Sequence, residues 1–142
     1  MIKEYEVVTL CGSTRFKDEF MKEQKRLTLE GKIVISVGLF GHSGDSEVWE
    51  GMSEDTLTKT KEMLDDMHKR KIDMADEIFV INVGGYIGDS TRSEIEYAIK
   101  HGKIVNYFEI YRYQQQIIVT YKQRIKIFDD KTISESTIRY AR

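Results

Sequence analysis

The sequence predicts an α/β fold, a Rossmann-like or flavodoxin-like three-layer sandwich with a mainly parallel sheet. Strand-like and helix-like segments alternate along the chain, and helices that separate strands connect parallel neighbours. Polar or glycine-containing turns follow the strands, where such sheets bind ligands. The 142 residues match one domain. We expect its core over residues 5–108 and a C-terminal extension of open role over residues 109–142.

The order of the elements follows from apolar periodicity. Short apolar runs predict strands over residues 5–11, 32–37, 77–82 and 103–108. Helical spacing predicts helices over Lys17–Glu30, from residue 53 to a point before the strand at residue 77, and over Thr91–Lys100. In the second helix, the apolar residues that recur predict a buried stripe of Leu57, Leu64, Met67 and Met74.

The C-terminal extension has a different pattern. Residues 117–128 alternate partially between apolar and basic side chains, which predicts an added edge strand or a hairpin around residues 129–131. Basic and aromatic residues over 111–128 would also suit a nucleic-acid arm. We favour a strand with one solvated face, or a subunit contact, because charge runs usually mark solvated faces.

Composition excludes several classes of protein. The chain has 22 basic and 24 acidic residues, a balance that exerts no general attraction toward nucleic acid or membranes. Its apolar runs are too short to span a bilayer, and its charged N-terminus differs from a signal peptide. Cys11, the single cysteine, excludes an internal disulfide and is typical of a reducing compartment. We therefore expect a cytoplasmic protein without membrane or nucleic-acid partners.

Metal-ligand spacing is missing from the sequence. The three histidines, His42, His68 and His101, are far apart, and none belongs to a Cys/His motif. From this spacing we expect neither a metal site nor a cofactor.

The first candidate site is the turn after the first strand, Gly12-Ser13-Thr14-Arg15. It opens the first helix, where backbone N–H groups favour a phosphate. Gly12 permits close approach of the backbone, Ser13 offers a hydroxyl, and Arg15 offers a forked donor for phosphate oxygens. Alternatively, Ser13 or Thr14 only caps the helix.

The second candidate site is the segment from Gly84 to Ala98, which follows the third strand. It places Glu94 near the start of a helix at the ligand-binding edge, where a carboxylate can act as a nucleophile or as an acid or base. The same residues match a capping box, in which Thr91 and Glu94 would only satisfy backbone donors.

The third candidate site is the long loop over residues 38–52. Loops of this length are often functional. Phe40 and Trp49 could stack on a base, and His42 and Asp45 could hydrogen-bond it. Alternatively, the two aromatic side chains anchor the loop to the core.

These motifs resemble the nucleoside 2-deoxyribosyltransferase superfamily, including its deoxynucleoside 5′-monophosphate N-glycosidase branch. The run Cys11-Gly12-Ser13-Thr14-Arg15 is similar to the branch's Cys-Gly-Ser-x-Arg phosphate loop. The run from Asp89 to Ala98 is similar to the superfamily's Asp, its small and hydroxyl residues, and its Glu-x-Gly-Tyr-Ala.

The resemblance implies roles for individual residues. Glu94 would attack the anomeric carbon of the sugar, and Asp89 and Ser90 would hold the sugar. His68 falls near the position of an acidic residue in the long helix of the monophosphate branch, and with His42 and Asp45 it is a candidate for binding the base and giving it a proton. Alternatively, His68 is a surface histidine or a core histidine with its polar atoms satisfied.

The implied activity is cleavage of the N-glycosidic bond of a (deoxy)nucleoside or its 5′-monophosphate, by hydrolysis or base transfer. The resemblance also implies a homodimer or larger assembly that completes its sites across subunits. A non-catalytic module that binds or senses a nucleotide is the alternative, since fold does not determine function. A phosphoribohydrolase is a third possibility, because Gly84-Gly85 and Thr91–Glu94 partly match its glycine-rich signature.

Overall fold

A computed structural model describes the backbone of residues 3–113, 116–122 and 139–140, and side chains through residue 108. Its helices are α1 (Lys17–Leu29), α2 (Glu54–Asp73) and α3 (Asp89–Lys100). Its strands are β1 (Val7–Gly12), β2 (Ile33–Ile35), β3 (Glu77–Ile81), β4 (Ile104–Tyr113), β5 (Gln116–Lys122) and β6 (Arg139–Tyr140). Short 3₁₀ turns occupy Ser46–Trp49 and Val83–Gly85.

The strand order is β2-β1-β3-β4-β5, and the first four of these strands are parallel. This parallel sheet, flanked by helices, confirms the predicted α/β fold. β5 pairs antiparallel with β4, so part of the predicted C-terminal edge strand is present, and β6 pairs parallel with β4. Residues 129–131, where a hairpin is predicted, lie outside the residues that the structure describes. The side chains of residues 111–128 also lie outside the described part.

The core lies on both faces of the sheet, which produces the three layers. Successive strand residues point to opposite faces. Val8 and Leu10 of β1 therefore pack in the cluster that contains Phe20 of α1, whereas Cys11 packs in the cluster that contains Ile72 of α2. Strands buried on both faces are expected where helices cover a parallel sheet on each side.

The predicted buried stripe of α2 is wrong at its C-terminal half. Met67 is 43% exposed and Met74 is 69% exposed, whereas His68 and Ile72 are buried. His68 and Ile72 are four residues apart and share one face of the helix. The prediction failed because hydrophobicity alone cannot identify a histidine whose buried nitrogen has polar partners.

Asn82 directly follows β3 and bonds the neighbouring strand through its side chain. Its Nδ2 donates to the Phe108 carbonyl at 3.0 Å, and its Oδ1 accepts from the Phe108 N–H at 2.9 Å. The amide thereby continues the pairing between β3 and β4 while the main chain turns away. This turn begins the loop that leads to α3.

Among the described residues, we find no helix with the length and apolarity needed to cross a membrane.

Candidate functional site

A cleft of about 410 Å³ opens at the carboxyl edge of the parallel strands. It lies between the three loops singled out from the sequence and one face of α2. All the predicted site residues line it: Gly12, Ser13, Arg15, His42, His68, Asp89, Ser90 and Glu94. The convergence places candidate phosphate-binding, sugar-binding and nucleophilic groups in one cavity, although their roles stay predictions.

The phosphate-loop candidate requires glycine at its first position. Gly12 has φ +154°, and a Cβ there would lie 2.9 Å from the Ile81 carbonyl oxygen of the neighbouring strand. Ser13 Oγ accepts from the Arg15 Nε–H at 3.0 Å, and Thr14 Oγ1 lies 2.7 Å from His42 Nδ1. The N-cap position of α1 belongs to Phe16 rather than to Ser13 or Thr14, so the capping alternative is wrong.

Arg15 is held by a side chain that sequence reasoning did not single out. Its guanidinium lies 4.6 Å from the centre of the Tyr86 ring, and its Nη2 is 3.4 Å from the Tyr86 hydroxyl oxygen. Tyr86 also packs edge-to-face against Phe16, with ring centres 6.0 Å apart. Tyr86 thus connects the loop after β1 to the loop after β3.

The capping-box interpretation of Glu94 is wrong. α3 begins at Asp89 with Gly88 as its N-cap residue, so Thr91 lies within the first turn of the helix and is buried. Glu94 is in the second turn, beyond the free N–H groups that a capping box satisfies. Its side chain is only 12% exposed and lines the cleft.

Glu94 belongs to a buried cluster with Cys11 and His68. His68 Nε2 lies 3.5 Å from Cys11 Sγ and 3.9 Å from Glu94 Oε2. The three potential ligand atoms all lie within 4.8 Å of one another. β1, α2 and α3 each contribute one member, so only the folded chain brings them together. Cys11 and His68 are separated by 57 residues, and sequence spacing therefore gave no indication of the cluster.

Burial makes the neutral forms of this cluster dominant. Burial, opposed by the Cys11 thiol and Lys69 and assisted by the nearby Asp65 charge, raises the pKa of Glu94 to about 8. Burial lowers the pKa of His68 to about 4, assisted by Lys71 and opposed by a hydrogen bond with the Leu10 backbone. Burial also raises the pKa of Cys11 well above its ordinary value. At neutral pH, His68 and Glu94 are therefore a contact of neutral groups rather than an ion pair.

The two aromatic side chains of the long loop lie in different places, Phe40 in the core and Trp49 at the cleft. Phe40 is buried and packs edge-to-face against Phe20, with ring centres 5.5 Å apart, so it anchors the loop. Asp45 Oδ2 accepts from the Phe40 N–H at 2.8 Å, which gives this carboxylate a structural contact within the loop. Trp49 lines the cleft while its Nε1–H donates to the Gly41 carbonyl at 3.0 Å.

One face of α2 adds charged groups that sequence reasoning missed. Lys61, Asp65 and Lys71 line the cleft beside His68. Lys71 Nζ donates to the carbonyls of Ser36 at 3.0 Å and Val37 at 3.2 Å, and burial lowers its pKa. These residues recur at helical spacing around His68, which is the pattern that could have found them.

Comparison of this chain with protein-family models, with curated proteins and with solved structures found no match.

Glu94 should make the stability of the fold depend on pH. Its pKa rises from 4.5 to about 8 on folding, so the folded protein retains a proton that the unfolded chain releases. Its contribution to the free energy of unfolding therefore falls as pH rises between those values. His68, with a pKa lowered from 6.5 to about 4, acts in the opposite direction at lower pH. Between pH 6.5 and pH 8 the contribution of Glu94 can therefore be measured apart from that of His68.

Urea unfolding across that range measures the effect. Glu94→Gln should remove most of the loss of stability with rising pH, because glutamine cannot ionise. Glu96→Gln, at an exposed position of the same helix, is the matched control and should keep the wild-type slope. An unchanged slope in the Glu94→Gln variant would contradict the buried, protonated carboxyl.

Proposed function

We propose that this protein cleaves the N-glycosidic bond of a (deoxy)nucleoside 5′-monophosphate, with Glu94 as the nucleophile. One observation carries the proposal: Glu94 and the loop Gly12–Arg15 line the same cleft. Had Glu94 been a helix cap directed away from this loop, only a binding function would have remained. The motif resemblance to the nucleoside 2-deoxyribosyltransferase superfamily supports the proposal independently of the geometry.

Phosphate binding would supply the orientation. The backbone N–H groups of Gly12–Arg15, in the loop that precedes α1, would bind the 5′-phosphate together with the Arg15 guanidinium. This binding energy is remote from the reacting carbon and can therefore be used to position it. Asp89 and Ser90, exposed on the first turn of α3, would contact the sugar.

Glu94 would then act on the anomeric carbon. Breaking the bond between this carbon and the base nitrogen leaves the electron pair on the base and builds positive charge on the sugar. The carboxylate stabilises that charge and forms an ester bond with the carbon. Water or a second nucleobase next attacks the sugar carbon of the ester. This step completes hydrolysis or transfer and frees the Glu94 carboxylate. A titratable group of the cleft, His42 or Asp65, would protonate the departing base.

The raised pKa of Glu94 favours one alternative. A carboxyl that is mostly protonated at neutral pH is a weak nucleophile until it ionises. The same cleft could therefore bind a nucleotide as a sensor without turnover. Incubation with a panel of ribo- and deoxyribonucleoside 5′-monophosphates, with chromatographic detection of free base, distinguishes the two functions. Binding without base release from any member would favour the sensor.

Glu94→Gln should lower base release at least ~10³-fold, about 4 kcal/mol of activation barrier. Its melting temperature should stay at or above that of the wild type, because the variant keeps the shape of the side chain. In the wild type, kcat/KM should rise with pH toward about 8 as Glu94 ionises. Near-native turnover by a folded Glu94→Gln variant would remove Glu94 from the mechanism. A rate that falls through this range would make it an acid instead.

Arg15→Ala should weaken binding of a nucleoside monophosphate by roughly 10- to 100-fold, the size of a lost hydrogen bond to a charged group. Binding of the matching nucleoside should change little, because it lacks the phosphate. Lys25→Ala removes the same charge from an exposed position of α1 and serves as the matched control. Calorimetric titration of both ligands measures the difference. Equal losses for the two ligands would contradict a phosphate role for Arg15.

We also propose that the active form is a homodimer or larger assembly. Exposed apolar side chains support this: Leu29 is 80% exposed, and Ile33, on the terminal strand β2, is 50% exposed. Light scattering at micromolar concentration should give at least twice the mass of 16.6 kDa. A monomer with full activity would contradict the proposal.

A further inference from the structure

We propose that Cys11, His68 and Glu94 form a binding site for a thiophilic divalent metal ion such as Zn²⁺. A thiol, an imidazole and a carboxyl are the three ligand types that zinc sites use. The inference concerns the cluster itself and holds whether or not the cleft catalyses glycosidic cleavage.

The distances between the ligand atoms fit a tetrahedral ion. With Zn–S near ~2.3 Å and Zn–N near ~2.0 Å, tetrahedral angles place the sulfur and nitrogen about 3.5 Å apart. Cys11 Sγ and His68 Nε2 are separated by 3.5 Å. Glu94 Oε2 lies 3.9 Å from the same nitrogen, and the three ligand atoms all lie within 4.8 Å of one another.

The surroundings orient the ligands. Cys11 lies on a strand and is fully buried, and His68 and Glu94 lie on helices and are largely buried. Packing around these side chains limits their movement. His68 and Glu94 line the cleft, which gives an ion an entrance and leaves a fourth coordination position facing it.

Charge balance favours a divalent ion. Binding would release one proton from Cys11 and one from Glu94, while His68 binds as the neutral imidazole. The thiolate and the carboxylate together offset the two positive charges of the ion, so the buried site carries no net charge. The thiolate selects Zn²⁺ or Co²⁺ over Mg²⁺ or Ca²⁺, which prefer oxygen ligands.

The bound ion would occupy the carboxylate that cleavage needs. Zn²⁺ should therefore inhibit base release, a consequence that rests on the proposed function. Binding itself is measured without any substrate, so failure of the two proposals can be told apart. If the protein binds the metal but releases no base, the proposed metal site stands and the proposed enzymatic function is contradicted.

Cobalt titration of the metal-free full-length chain, without a histidine tag and with its thiol reduced, tests the site. Co²⁺ should produce a thiolate charge-transfer band and the visible bands of tetrahedral coordination at one equivalent, and Zn²⁺ should abolish them. Cys11→Ser should abolish the charge-transfer band. His68→Gln and Glu94→Gln should each raise the dissociation constant at least tenfold. His101→Gln, outside the cluster, is the matched histidine control and should bind like the wild type.

Thermal unfolding guards against variants that fail to fold. Zn²⁺ should raise the melting temperature of the wild type and of His101→Gln, and it should raise that of folded Cys11→Ser or His68→Gln variants much less. Absence of the charge-transfer band in the wild type would overturn the proposal. So would a band that persists in Cys11→Ser, or wild-type affinity in His68→Gln.

Discussion

The register of β1 is the constraint on which the site depends. Alternation sends Val8 and Leu10 toward the α1 layer and Cys11 toward the layer of α2 and α3. Pairing with β3 then brings Gly12 against Ile81, where only glycine fits without displacement. A slip of one residue would exchange the two faces, placing an apolar side chain against Glu94 and a side chain at the tight turn. The core and the cleft are thus specified by the same strand.

Placing three ionisable groups at the edge of a core has a cost, which the fold limits by keeping them neutral. An ionised carboxylate in this position would lose most of its hydration, so Glu94 holds its proton to a higher pH. The apolar side chains of the surrounding core cluster maintain this environment. Any positive charge that is brought beside Glu94 lowers the pKa of its carboxyl and favours the ionised, reactive form. A developing oxocarbenium centre and a metal ion both supply such charge.

The sequence predicted the fold and the loops of the site, because both follow from local patterns. Alternating apolar segments gave the parallel sheet, and polar turns after β1 and β3 marked the edge where ligands bind. The contact between His68 and Cys11 could not be predicted, since the two residues are 57 positions apart and meet only across the fold. The capping-box alternative matched the spacing, but α3 begins at Asp89, earlier than that pattern requires. The roles of the site residues stay predictions.

Tyr86 explains how two distant loops could act as one unit. Its ring supports the face of the Arg15 guanidinium, whereas forked N–H groups at the edge of a guanidinium bind phosphate oxygens. Stacking and phosphate binding therefore use different parts of Arg15 and are compatible. Tyr86 also lies two residues before Gly88, the N-cap residue of α3. A phosphate bound at Arg15 would consequently be tied, through one aromatic ring and a short segment of backbone, to the helix that carries Glu94.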